Sequence, residues 1–219
     1  MRVRSVVRMS TDTNIHTITN IHSITLEAAE PEAASAFYRD AFGLDSEVRT
    51  RAAESPSDGF RGFTMSLVVA QPANVAALFD AAVARGAGVL KPVQKSLWGV
   101  GGVVQAPDGA IWNLATSAKK DTMPASRAFE NIVLLLGADD VPASKRFYAE
   151  RGLGVAKSFG SYVDFATPSS TIGLGLYKRR ALAKSAGVDP DGSGSHRLRI
   201  HSDGDGFVDP DGFEWAAGA

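Results

Sequence analysis

Two stretches of this 219-residue chain write the same landmarks in the same order. "EAASAFYRDAFGL" (Glu32 to Leu44) is echoed by "VPASKRFYAERGL" (Val141 to Leu153), and "APDGAIW" (Ala106 to Trp112) by "DPDGFEW" (Asp209 to Trp215). Each Phe-Tyr segment follows an apolar strand-like run, "HSITLEA" from His22 and "NIVLLLG" from Asn131. A repeat of this length limits the fold more than composition does, because both halves must be satisfied by related local structures. Residues 1–19 read as an N-terminal arm, 20–116 as one half, 117–128 as a polar linker and 129–219 as the second half.

Periodicity supplies the elements. Ile24 and Leu26 alternate with Thr25 and Glu27, the pattern of a half-buried strand. Pro31 suits a first helical turn, with Ala34, Phe37, Tyr38 and Ala41 on one face. Phe63, Met65, Leu67 and Val69 alternate as a second strand. A helix from Pro72 follows, apolar at Val75, Leu78, Phe79, Ala82 and Val83, and then three strands, "GVLKPVQ", "GGVVQA" and "AIWNLAT". The second half holds one complete unit of this kind. After it, "SGSHRLRIHSD" is a strand with Leu198 and Ile200 opposite Arg197, Arg199 and His201, and the expected helix is missing. The first half is short in another place, after "SEVRTRA". The chain therefore reads as α+β, in tandem βαβββ units, two full and two shortened, ordered short, full, full, short. Either each half forms its own sheet pair, or full pairs with full and short with short.

Repeated βαβββ units with Phe-Tyr and Gly-Leu on the helix and Pro-Asp-Gly before Trp resemble the vicinal oxygen chelate superfamily. That group includes glyoxalase I, bleomycin-resistance proteins and extradiol dioxygenases, and the likeness spans about Ile21 to Ala217. It implies sheets curled into clefts. In metal-using members it also implies His on a unit's first strand and Glu or His on its last, holding a divalent ion with open positions for substrate. The matching positions here are Ser23, Thr64, Asn131 or Val133, and Ser195 or Arg197 on first strands, and Asn113 and Ala216 after the two Trp residues. None is an ordinary metal ligand. The resemblance thus implies a metal-free cleft that sequesters a small molecule, with Ser23, Thr64, Ser66 and Asn113 lining it. Trp98 is either a stacking platform for a planar ligand or a core residue. Trp112 and Trp215 read as packing behind the Pro-Asp-Gly hairpins. The alternative is a glyoxalase- or dioxygenase-like metalloenzyme with displaced ligands, for which His201 and Glu214 are the best remaining pair, one fewer than the usual three protein ligands.

Other features exclude more than they indicate. There are 23 basic and 24 acidic residues, net charge −1, without a block of one sign, so neither nucleic acid nor an anionic membrane is the expected partner. The absence of cysteine removes disulfides and thiolate metal sites. No apolar run reaches about 18 residues. "MRVRSVVRMSTDTN" is too short in its apolar part for a signal peptide, and Met9 offers an alternative start. A cytoplasmic protein is expected, and shortened sheet edges favour a homodimer. His16 falls in the arm, and His196 beside a Gly/Ser-rich loop is expected at the surface. "DPDGSGS" and "SDGDGFVDPDG" lack EF-hand spacing and read as turns. Gly173 and Gly175 leave room for a ligand or for close packing, the latter preferred.

Overall fold

A computed structural model describes residues 17–218, with the side chain of His196 outside the description; His16 also lies outside it. The elements are β1 (Ile21–Ala28), α1 (Pro31–Phe37), β2 (Val48–Ala52), β3 (Phe63–Val68), α2 (Pro72–Ala84), β4 (Gly88–Ser96), β5 (Gly99–Gln105) and β6 (Ile111–Thr116), then β7 (Asn131–Ala138), α3 (Val141–Glu150), β8 (Gly154–Phe159), β9 (Tyr162–Ala166), β10 (Ile172–Lys178), α4 (Arg179–Ala186), β11 (Leu198–Ser202), β12 (Phe207–Val208) and β13 (Glu214–Ala217). They make two sheets. One has eight strands in the order β4-β5-β6-β3-β7-β10-β9-β8, and the other five, β12-β13-β11-β1-β2.

Of the two arrangements the sequence allows, the sheets take the second. β3 and β7 run antiparallel, Thr64 opposite Leu135 and Ser66 opposite Val133, which joins the two full units. β1 and β11 run antiparallel, Ile24 opposite Ile200, which joins the two short ones. The alternation read from sequence holds in both places: Ile24, Leu26, Met65, Leu67, Leu134, Leu136, Leu198 and Ile200 are buried in a common core with α1, α2 and α3. Removing that apolar area from water, at about 25 cal/mol per Å², is the main driving term.

The repeated motifs explain how the two sheets are held to each other. α1 runs directly into a π-helical turn at Tyr38–Phe42, which stops at Gly43 with φ +72°. The wider turn places Tyr38 and Phe42 around the buried Trp112, ring centroids 5.4 and 5.0 Å away. The Tyr38 hydroxyl donates to Asp108 Oδ2 at 2.7 Å, in the first Pro-Asp-Gly hairpin. In the second half, Tyr148 of α3 donates to Asp209 Oδ2 at 2.5 Å, and Trp215 packs between Tyr148 and Phe207. The two locks use different turn positions. Asp108 is the Asp of Pro-Asp-Gly, whereas Asp209 precedes Pro210. Asp211, which matches Asp108 in sequence, instead accepts from the Ser144 hydroxyl at 2.6 Å and the Asp139 N–H at 2.9 Å. Gly109 and Gly212 take φ +91° and +88°, the left-handed conformation each turn requires.

The linker is fastened to the start of α2. Gln71 Oε1 accepts the N–H groups of Thr122 and Met123, its Nε2 donates to the carbonyls of Met123 and Pro124, and Asn74 Oδ1 accepts from Ser126 N. One helix falls outside the sequence expectation. α4 starts immediately after β10 with no intervening turn residue, and its only buried side chains are Leu182, Ala183 and Ala186.

The buried carboxyl of Asp209 gives a pH signature. Burial pushes its pKa up to about 6, against hydrogen bonds from Tyr148 and the Phe213 N–H that pull it down. A raised carboxyl pKa adds stability that is full below the unfolded value of about 4 and is lost as pH rises through about 6. Asp209→Asn is expected to flatten the dependence of urea-unfolding free energy on pH between about 4 and 6, where one such proton contributes up to about 1.4 kcal/mol per pH unit.

Candidate functional site

Each sheet has one face turned away from the common core. On the eight-stranded sheet this face carries Thr64, Ser66, Ile111, Asn113, Val133, Leu135, Gly173, Gly175 and Tyr177, by strand parity. Asn113 Nδ2 donates to Thr64 Oγ1 at 3.2 Å and to Ser66 Oγ at 3.4 Å, so three of the sequence-predicted residues do come together. Thr64 is completely enclosed. α4 lies against this face: Leu182, Ala183 and Ala186 form a second apolar cluster with Phe60, Val103 and Ile111, backed by Leu135, Tyr177 and Val188.

The helix is fixed at both ends. Arg179 donates to the carbonyls of Phe60 at 2.7 Å and Pro190 at 3.1 Å. Lys91 Nζ meets the carbonyls of Lys184 and Ser185, at 3.1 and 2.6 Å, at the negative end of the helix dipole. A Cβ at Gly175 would fall 2.7 Å from Leu135 Cδ2, so that glycine serves close packing by a neighbouring strand.

The other two predicted residues lie elsewhere. Trp98 is at the tip of the β4–β5 hairpin, 84% exposed, apart from the Thr64–Ser66–Asn113 group. Neither a core position nor a cleft wall describes it. Ser23 is on β1 of the five-stranded sheet, because pairing crosses the halves.

The five-stranded sheet presents Ser23, Thr25 and Glu27 from β1, Arg49 and Arg51 from β2, Arg197, Arg199 and His201 around β11, and Glu214 and Ala216 from β13. α1 lies on the opposite side, where Thr50 Oγ1 donates to Pro31 O at 2.8 Å. The register sets Thr25 directly between Arg49 and Arg199, with Glu214 next beyond Arg199. The row beside it reads Ser23, His201, Ala216. Charges form a chain: Arg197 pairs with Glu27, Glu27 with Arg51 at 2.8 Å, Arg51 with Glu214 at 3.7 Å, and Glu214 with Arg199 at 2.6 Å. Burial alone would raise the pKa of Glu27, but Arg197 and Arg51 outweigh it and hold the carboxylate below its ordinary range. His201 Nε2 is 2.9 Å from Thr25 Oγ1. Burial first, then Arg49 and Arg199, lower the imidazole pKa, so His201 is neutral at pH 7.

These donors do not fit a metal ion. Both oxygens of Glu214 are turned to arginines, and the arginines that neutralise it would repel a cation. Among the described residues no group of three or more His, Asp or Glu is placed to hold one. The Asp-rich loops behave as turns: Asp189 Oδ1 caps Asp191 N at 2.9 Å, and Asp203 takes the N–H groups of Thr19 and Asn20 at 2.9 and 3.0 Å. Sequence reasoning placed the arginines on one side of β11 but missed that β2 brings two more to the same face. The alternation Arg49, Arg51 in "VRTRA" was the signal.

This pair of sheets has the glyoxalase/bleomycin-resistance/dioxygenase fold. The chain is similar to glyoxalase I from Zea mays at 14% identity over 91% of this chain and 90% of that one, with a TM-score of 0.60. A variant of the same maize enzyme aligns with a TM-score of 0.56 at 12% identity, over 91% of this chain and 90% of that one. A protein from Bacillus subtilis provisionally described as a dioxygenase aligns with a TM-score of 0.51 at 14% identity, covering 84% of this chain and 70% of that one. No protein-family model matches the sequence, and no curated protein does. No helix among the described residues is long and apolar enough to cross a membrane.

If α4 is a seated part of the eight-stranded face, Leu182→Ala should cost about 2–4 kcal/mol of unfolding free energy, the range for truncating a buried leucine. Urea titration followed by tryptophan fluorescence measures it.

Proposed function

We propose that this chain is a small-molecule-binding protein of the glyoxalase/bleomycin-resistance type that works without a metal ion. The observation that carries this reading is the donor set. The positions where metal-using relatives of this fold would place ligands hold Ser23, Thr64, Asn113 and Ala216, and the remaining His201 and Glu214 are engaged by Thr25 and by two arginines. The ligand site belongs on the five-stranded sheet, because α4 fills the matching face of the other. Sequestration, rather than turnover, is the reading this donor set favours, because among the described residues no group of three or more His, Asp or Glu is placed to hold a hydroxide-generating ion.

Metal analysis by plasma mass spectrometry, after soaking with Ni, Zn, Mn and Fe(II) and then dialysis, tests the reading. Less than about 0.1 ion per chain is expected, since two ligands rarely hold a catalytic ion. A stoichiometric ion lost in His201→Ala and Glu214→Gln would replace this proposal with a metalloenzyme.

A homodimer is part of the same reading. β4 and β8 are the unpaired edges of the eight-stranded sheet, and Val89, Leu97, Trp98, Val155 and Phe159 are exposed on them and at their hairpin tips. Light scattering is expected to give twice the chain mass of 23.0 kDa, falling toward it in Trp98→Ser/Phe159→Ser.

A further inference from the structure

We propose that the five-stranded face binds a small oxyanion, the carboxylate or phosphate group of a metabolite-sized ligand, held between Arg49 and Arg199 beside His201. The proposal rests on the small-molecule-binding reading and adds the chemical class of the ligand.

Three observations carry it. The first is shape. Neighbouring strands stand about 4.8 Å apart, so Arg49 and Arg199 rise about 10 Å from each other on either side of Thr25. Thr25 is the short residue between them, and the His201 ring lies against its hydroxyl, Nε2 to Oγ1 2.9 Å, with Ser23 buried alongside. Guanidinium groups on either side of one short polar residue can converge on a single carboxylate or phosphate group.

The second is charge. The chain Arg197–Glu27–Arg51–Glu214–Arg199 contains three guanidinium groups and two carboxylates. Arg49 adds another positive charge, is exposed, and pairs with no carboxylate among the described residues. Glu47, at the start of β2, turns its carboxylate to the Asp45 N–H at 3.4 Å. The face is therefore formally +2 on a chain whose total is −1. Guanidinium forks match carboxylate and phosphate oxygens in pairs, which makes an oxyanion the complementary ligand.

The third is the neutral ring of His201. Its Nε2 is engaged by Thr25, which leaves Nδ1 as the remaining polar atom of a half-buried side chain on this face. A ring kept neutral by burial first and then by the neighbouring arginines offers a hydrogen bond without adding a competing charge.

The test is titration calorimetry and thermal shift at constant ionic strength with inorganic phosphate, malonate and chloride, on the wild type, Arg49→Gln and Glu214→Gln. Arg49 is exposed and has no salt bridge or side-chain hydrogen bond among the described residues, so Arg49→Gln is expected to fold as the wild type does. Saturable binding of phosphate or malonate, but not chloride, is expected. It should weaken about tenfold in Arg49→Gln, the worth of one charge-assisted hydrogen bond, and tighten in Glu214→Gln, which frees Arg199. Preference for malonate assigns a planar carboxylate, and preference for phosphate a tetrahedral group. Equal stabilisation of wild type and Arg49→Gln, or no saturable binding, overturns the proposal. Hits from neutral or cationic compounds in a thermal-shift screen would then leave the small-molecule reading standing with another ligand class. A retained metal ion would remove both.

Discussion

The hydrogen bond from a buried tyrosine to a hairpin carboxylate is the constraint on which the arrangement of the two sheets depends. Tyr38 sits on the helix that belongs to the five-stranded sheet, and Asp108 on a hairpin of the eight-stranded one. Tyr148 and Asp209 make the same link in the reverse direction. A phenol and a carboxylate both taken from water must satisfy each other, because either left alone would forfeit its hydration without compensation. The indole beside each pair excludes water from it, and at Trp215 the ring N–H also donates to the Tyr148 hydroxyl at 3.2 Å. Each lock is thus polar at its centre and aromatic around it, and the two sheets are held at both ends of their contact.

Much of this was legible in the sequence, because the locks are made of residues that few other sites require together. Phe-Tyr on a helix and Pro-Asp-Gly before Trp survive as recognisable strings, and strand alternation at Ile24/Leu26 or Leu198/Ile200 follows directly from burial of one face. Three things were not legible. Which strands pair across the halves is decided by sheet edges distant in sequence, so Ser23 and Thr64 could be assigned equivalent positions without knowing that they lie on different sheets. α4 begins without a cap or breaker and has too few apolar positions to stand out. The change of carboxylate, from Asp108 in one lock to Asp209 in the other, turns on a two-residue offset: both halves share Pro-Asp-Gly, but Asp209 stands where the first half has Ala106, and nothing in the string says which Asp the tyrosine will take.

The two outward faces differ although the units beneath them share a pattern. On the eight-stranded sheet the polar trio Thr64, Ser66 and Asn113 satisfies itself, and α4 covers the apolar remainder. On the five-stranded sheet the polar groups are charged and only partly compensated, and the side chains of Arg51, Arg199 and Glu214 stay about one-third accessible. Closing one face with the chain's own helix concentrates whatever recognition the fold supports on the other.

The crossing of the halves also governs the order in which the molecule can form. β1 is made nearly 180 residues before its partner β11: Thr25 meets His201 across a separation of 176. The eight-stranded sheet can close once β10 is complete, but the five-stranded sheet has to wait for the final strands. Such long-range pairing slows folding, because loop closure must precede the contacts that stabilise it. Until β11 is made, β1 and β2 present an open edge to any neighbouring chain, so the nascent protein is most exposed to misassembly at the very strands that later carry its arginines.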